Sequence, residues 1–100
     1  MKAQIEEFIN YLSVERGLAN NTLIAYRRDL QQYLAYLDKI GVLSLQQVKR
    51  EFVTEYIYNR KQAGLSTTSI CRNLAAIKMF HRFLVRERLS TEDPTNLVDT

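Results

Sequence analysis

The sequence predicts an all-α fold, a compact bundle of four helices. Three observations carry that expectation. No segment alternates strictly between apolar and polar residues, so no strand is expected. Several stretches instead repeat apolar residues at i, i+3, i+4 and i+7, the spacing that puts them on one helix face. The three glycines, Gly17, Gly41 and Gly64, each follow such a stretch, where left-handed backbone ends a helix. Three internal stops divide the chain into four helices.

The first helix is expected at about 3–15, burying Ile5, Phe8, Ile9 and Leu12. The second is expected at about 21–39, with Leu23, Tyr26, Leu30, Tyr33, Leu34 and Leu37 as its apolar stripe. Asn20, Asn21 and Thr22 are all capping residue types, and one of them is expected to accept the first open backbone N–H. A short turn fits Ser44 to Gln47. The third helix, about 49–63, would bury Val48, Phe52, Val53, Tyr56 and Ile57. The hydroxyl run Ser66-Thr67-Thr68-Ser69 suits the start of a fourth helix at about 67–88, with Ile70, Leu74, Ile77, Phe80, His81 and Leu84 inside. From Ser90 onward, Glu92, Asp93 and Pro94 read as a helix end followed by an extended exit segment or linker. Residues 1–90 are therefore expected to form the domain, and 91–100 to begin a linker.

One hundred residues accommodate one core. With 46% hydrophobic and 25% charged residues, the chain has the composition of a folded domain rather than a disordered one. Cys71 is the single cysteine, which excludes an internal disulfide and fits a reducing compartment. No apolar run is long enough to cross a membrane, and Glu6 and Glu7 fall where a signal peptide would be apolar. The expectation is a soluble, cytoplasmic protein.

The net charge of +3 is a mild bias toward acidic partners, but its placement is more informative. Between Ser66 and Leu89, Arg72, Lys78, Arg82, Arg86 and Arg88 face only Glu87. The second helix carries Arg27 and Arg28 early, partly offset by Asp29. Helix starts offer open N–H groups and a partial positive charge, which suit phosphate oxygens. Two such starts, each followed by arginine, match a surface that lies on a DNA backbone and reaches the major groove. The same residues also fit ordinary caps and a solvated face. The aromatic residues mostly fall on core stripes and are read as packing; Tyr11, Tyr36 and Tyr58 are left as surface or interface candidates.

No catalytic constellation is visible. His81 is the only histidine and lies on an apolar stripe. Ten residues separate it from Cys71, about 15 Å on one helix, too far for a nucleophile and base pair. One His and one Cys do not make a metal site, and no glycine-rich phosphate loop is present. Glu6, Glu7, Glu15, Glu51 and Glu55 fit a solvated face. No cofactor, metal or small-molecule substrate is expected.

The segment Leu18-Ala-Asn-Asn-Thr22-Leu-Ile-Ala-Tyr26-Arg-Arg-Asp29-Leu30 resembles the second-helix motif of Xer-like tyrosine recombinases and phage integrases. Gly64-Leu-Ser66-Thr-Thr68-Ser-Ile-Cys-Arg72-Asn-Leu74-Ala-Ala-Ile77-Lys78-Met-Phe80 is similar to the start of their fourth helix. Glu92-Asp93-Pro94-Thr-Asn-Leu97 is similar to the exit of the same domain. The resemblance runs from about Ile5 to Leu97. It departs from the family pattern at Lys78, often arginine, at His81, commonly an aromatic core residue, and at Asp93, usually asparagine.

This resemblance implies a core-binding, SAM-like orthogonal bundle, the N-terminal half of a C-shaped clamp around double-stranded DNA. It places the second and fourth helices against the major groove of a recombination half-site. The DNA-facing residues it implies are Asn21, Thr22 and Arg28 on the second helix, and Ser66, Thr68, Ser69, Arg72 and Lys78 at or on the fourth. It also implies that strand cleavage and rejoining belong to a separate C-terminal domain, so none of the six tyrosines here is the nucleophile. The chain stops where the linker to that domain would begin. Other protomers are implied partners on DNA, with Glu6, Tyr11 and Arg16 of the first helix region as a candidate contact. The alternative is a helical protein–protein module with little DNA affinity of its own.

Overall fold

The structure, a computed structural model, describes residues 1–98. It contains α1 (Lys2–Val14), α2 (Asn20–Lys39), a 3-10 turn (Leu45–Gln47), α3 (Arg50–Gln62) and α4 (Thr67–Arg86), with no strand among the described residues. The four-helix expectation holds, and every helix boundary lies within two residues of its expected place. No helix of the described residues is long and apolar enough to cross a membrane.

The helix ends follow from backbone chemistry. At the end of α2, Gly41 has φ 86, the Gly41 N–H donates to the Asp38 carbonyl, and the Val42 N–H donates to that of Leu37. Gly64 does the same after α3, with Leu65 reaching back to Arg60. This pair of bonds satisfies carbonyls that the helix leaves open. The sequence offers no glycine after α4, yet the same motif forms there: Arg88 takes φ 59 and Leu89 N–H donates to Leu84. Three helices thus end by one device, and only the last places a side chain in the strained left-handed region.

The helix starts differ from one another. Ser66 caps α4, its hydroxyl accepting from the Ser69 N–H. The expected side-chain cap on α2 does not form. Its N-cap is Ala19, and Asn20, Asn21 and Thr22 lie inside the first turn. Extended backbone at Ala19 lets its carbonyl accept from Leu23, so the helix begins one residue early and the capping side chains are past the position from which they would cap.

α1 packs along α2, α2 crosses α4, and α3 closes the bundle against both. Phe8, Leu12, Leu30, Tyr33, Leu37, Leu74, Ile77, Phe80 and Leu84 are fully buried at the centre. Phe8 joins α1 to α4 through Phe80 and Phe83, with ring centroids 5.5 Å away in each case. Ala76, which is not among the expected inner residues Ile70, Leu74, Ile77, Phe80, His81 and Leu84, is fully buried. α4 packs against three other helices, so its buried face is wider than one stripe, and an alanine lets the neighbours approach. Tyr26 and Phe52, expected inside, are only partly buried.

The expected extended exit is a turn instead. Residues 94–97 turn back, and Thr95 and Val98 are buried. The Asp93 carboxylate accepts from both the Thr95 N–H and its hydroxyl, which closes the turn locally. Of the segment 91–100 expected to begin a linker, residues 99 and 100 lie outside the described residues.

His81 is a core residue, as its stripe position predicted, and is 0% exposed. The Tyr33 hydroxyl and His81 Nε2 are hydrogen-bonded at 2.8 Å. Nδ1 is buried with no partner among the described residues. Burial holds the imidazole pKa down at about 4, opposed by the Asp93 charge. The same burial drives the Tyr33 hydroxyl well above its ordinary value, reinforced by Tyr56 and Asp93. Both groups therefore remain neutral in the folded protein at pH 7.

Two expectations follow. Arg88→Gly should stabilise the fold by about 0.5–1 kcal/mol, because it removes the left-handed penalty on a side chain; Gly64→Ala should cost about 1 kcal/mol or more. Urea midpoints at unchanged slope measure both. For His81 the unfolded chain binds a proton below its ordinary value of 6.5, whereas the folded chain does not until about 4. Its contribution is complete above pH 6.5 and is lost as pH falls toward 4, a loss on the order of 3 kcal/mol. The double variant Tyr33→Phe, His81→Phe removes both polar partners together, and its urea midpoint should fall less than that of the parent across that window.

Candidate nucleic-acid interface

α2 and α4 cross at an ion pair. Arg72 Nε donates to Asp29 Oδ2 at 2.7 Å, and Arg72 Nη2 donates to Oδ1 at 3.0 Å. Asp29 is 2% exposed, whereas the Arg72 side chain keeps 35% of its surface. The hydrogen bond to Asp29 raises the Arg72 pKa, so the guanidinium is charged under all ordinary conditions. Asp29 lies about 14 Å along α2 from its start, and Arg72 about 8 Å along α4 from its own. The crossing therefore fixes where both helix starts stand.

The charges near the crossing sort differently from their order in sequence. Asp29 was expected to offset its neighbours Arg27 and Arg28. It turns into the core and meets Arg72 instead. Arg27 reaches back to α1, where Glu6 takes its Nε and Nη2 at 3.0 and 3.1 Å. Arg28 is exposed and pairs with no carboxylate among the described residues. It precedes Asp29 in the chain and stays on the exposed side of α2.

The remaining expected site residues distribute around these two helices. Asn21 is exposed and Thr22 partly buried in the first turn of α2. No acceptor among the described residues takes the N–H groups of Asn20, Asn21 and Thr22, so that turn is open to an anion. Ser66 and Ser69 are engaged with one another, Oγ to Oγ at 3.2 Å in addition to the cap bond. Thr68 is exposed one turn before Arg72. Lys78 is partly buried further along α4.

Arg16, a candidate contact from the sequence, and Arg82, which the sequence does not assign to a site, are both exposed. With Phe8, Tyr11, Met79, Phe83 and Arg86 they border a hollow of about 280 Å³ between α1 and α4. Arg86 is committed inside the molecule: its Nη1 donates to the Tyr11 hydroxyl at 2.6 Å, its Nη2 lies 3.6 Å from Glu15, and its guanidinium sits 4.8 Å from the Tyr11 ring centre. Tyr11 is thus held in place rather than displayed, and Glu6 is held by Arg27. Of the three residues proposed as a contact near the first helix, Arg16 alone is exposed with no ion pair among the described residues.

The Asp29–Arg72 pair makes a stability expectation. Arg72→Ala leaves a buried carboxylate without its partner and should cost about 2–3 kcal/mol, between the limits for exposed and fully buried pairs. Removing both charges, as in Asp29→Leu with Arg72→Leu, should cost less than Arg72→Ala alone. Urea unfolding of the single and double variants checks the order.

Residues 5–88 match the phage integrase N-terminal SAM-like domain family. The chain is 44% identical over 92 residues to tyrosine recombinase XerD of Halalkalibacterium halodurans, covering 91% of this chain and 31% of that protein. It is 37% identical over 100 residues to tyrosine recombinase XerD of Staphylococcus epidermidis, covering 100% and 34%. It is 38% identical over 97 residues to that of Oceanobacillus iheyensis, covering 96% and 33%. The chain therefore spans about a third of the length of these relatives. With a family match across all four helices and identity to these relatives over nearly its whole length, the chain belongs to the phage integrase N-terminal SAM-like domain family.

Proposed function

We propose that this domain binds double-stranded DNA as the N-terminal clamp half of a site-specific tyrosine recombinase. In this reading α2 and α4 lie against the major groove of a half-site, and a separate C-terminal domain cleaves and rejoins the strands. The observation that carries it is the α2–α4 crossing, where Arg72 meets Asp29, with exposed Arg28 preceding Asp29 on α2 and exposed Thr68 one turn before Arg72 on α4. The similarity to XerD proteins supports the recombinase context.

Within that interface, Asn21 and Thr22 present the open first turn of α2 to a phosphate, and Arg28 supplies an unpaired charge. Thr68, with Ser66 and Ser69, presents the start of α4, and Lys78 is the outlying phosphate contact. Arg72 contributes through direction rather than net charge, since Asp29 balances it. No catalytic step is assigned to this domain. Other protomers of the recombinase are its further partners on DNA, and the segment 91–100 leads toward the catalytic domain.

Binding of a half-site duplex should be salt-dependent. Four to six phosphate contacts predict a slope of log affinity against log salt of roughly −4 to −5. Arg28→Ala should weaken binding and reduce that slope by about one, whereas Glu55→Ala should change neither. Titration at several salt concentrations, followed through backbone amide shifts, reads both quantities. Shifts confined to α1, or none at all, would overturn the interface.

A further inference from the structure

The guanidinium of Arg72 is only half used. Arginine has five N–H donors, arranged as a side edge and a terminal fork. Asp29 occupies the side edge through Nε and Nη2. The two N–H groups of Nη1 and the second of Nη2 have no acceptor among the described residues. Asp29 is buried and covers one edge, and the Arg72 side chain keeps 35% of its surface exposed. The fork is thus held in one orientation before any ligand arrives.

Its neighbours along α4 are small, while Tyr26 of α2 stands near it. Thr68, Cys71 and Ala75 flank Arg72 on α4, and all are short. Arg72 is the one charged side chain of that stretch, directed toward α2 by Asp29 and still partly exposed. Two ligand groups offer paired acceptors to such a fork: the O6 and N7 edge of guanine, and two phosphate oxygens. Asp29 discriminates between them. The pair carries no net charge, so its pull on a phosphate is weak, while the directed N–H groups keep their full value toward a neutral acceptor pair.

Resting on the reading of this domain as a DNA clamp, the geometry points to Asp29 as a positioning residue for sequence recognition, which holds Arg72 so that its fork reads one guanine in the major groove. Asp29 touches no DNA in this arrangement. It removes the rotational freedom of the arginine and its general phosphate affinity together. The site therefore contributes to choosing the sequence more than to the strength of binding.

The test is selection of duplexes from a randomised pool by this chain, alongside Asp29→Asn and Arg72→Lys, with a thermal melt of each variant. The parent should fix guanine at one position. Asp29→Asn and Arg72→Lys should lose the preference at that position and keep it elsewhere. A second measurement uses only the parent protein, so folding of the variants does not enter. Replacing the selected guanine by 7-deazaguanine, which lacks the N7 acceptor, should weaken binding by about 5- to 100-fold. Unaltered selection by Asp29→Asn overturns the inference, as does undiminished binding of the 7-deazaguanine duplex. A uniform loss across all sequences in Arg72→Lys, with the guanine preference intact, identifies a phosphate contact and also overturns it. In those cases DNA binding itself still stands; a parent protein that binds no duplex removes the clamp reading as well.

Discussion

A buried carboxylate has to be matched, and in this bundle the match crosses between two helices. Asp29 stands almost out of reach of water, and Arg72 supplies two parallel N–H bonds to it. Neither residue has that partner within its own helix. The demand to satisfy the charge therefore fixes the separation of α2 and α4 at one point, and the Tyr33–His81 hydrogen bond fixes it again one turn further along α2. Two contacts determine a direction. The helix starts, Arg28 and Thr68 stand where they do because of this crossing.

The two helix starts are not equivalent once the structure is considered. α4 closes part of its first turn with Ser66, which leaves fewer open N–H groups for a ligand. α2 begins after Ala19 with no side-chain cap, so its first turn is the more open of the two. Chemically, α2 resembles an anion seat and α4 a rigid mount for Arg72.

The arginines show how little formal charge says about a binding face. Arg27, Arg72 and Arg86 are paired within the molecule, and Arg88 forms a helix end in left-handed backbone. Arg16, Arg28 and Arg82 are exposed and have no carboxylate partner among the described residues. A basic segment read along α4 thus divides into structural and outward-facing members. Paired arginines remain capable of directed hydrogen bonds, so their loss of net charge changes what they recognise and does not silence them.

Much of the fold is legible in the sequence because it rests on local rules. Apolar spacing put Ile5, Phe8, Leu30, Ile77 and Leu84 inside, and glycines marked the ends of α2 and α3. The placement of His81 in the core follows from the same spacing. What the local rules missed depended on distant neighbours. Ala76 is buried because α4 has helices on several sides, and the segment after Ser90 turns back because Thr95 and Val98 find room in the core. The candidate site divides in the same way. Residue types and their positions on α2 and α4 are sequence properties, set by one helical turn at a time. That Asp29 abandons Arg28 for Arg72, 43 positions away, is decided only when the helices pack, because the low-dielectric interior makes burial of an unmatched charge too costly and selects the partner that geometry brings within reach.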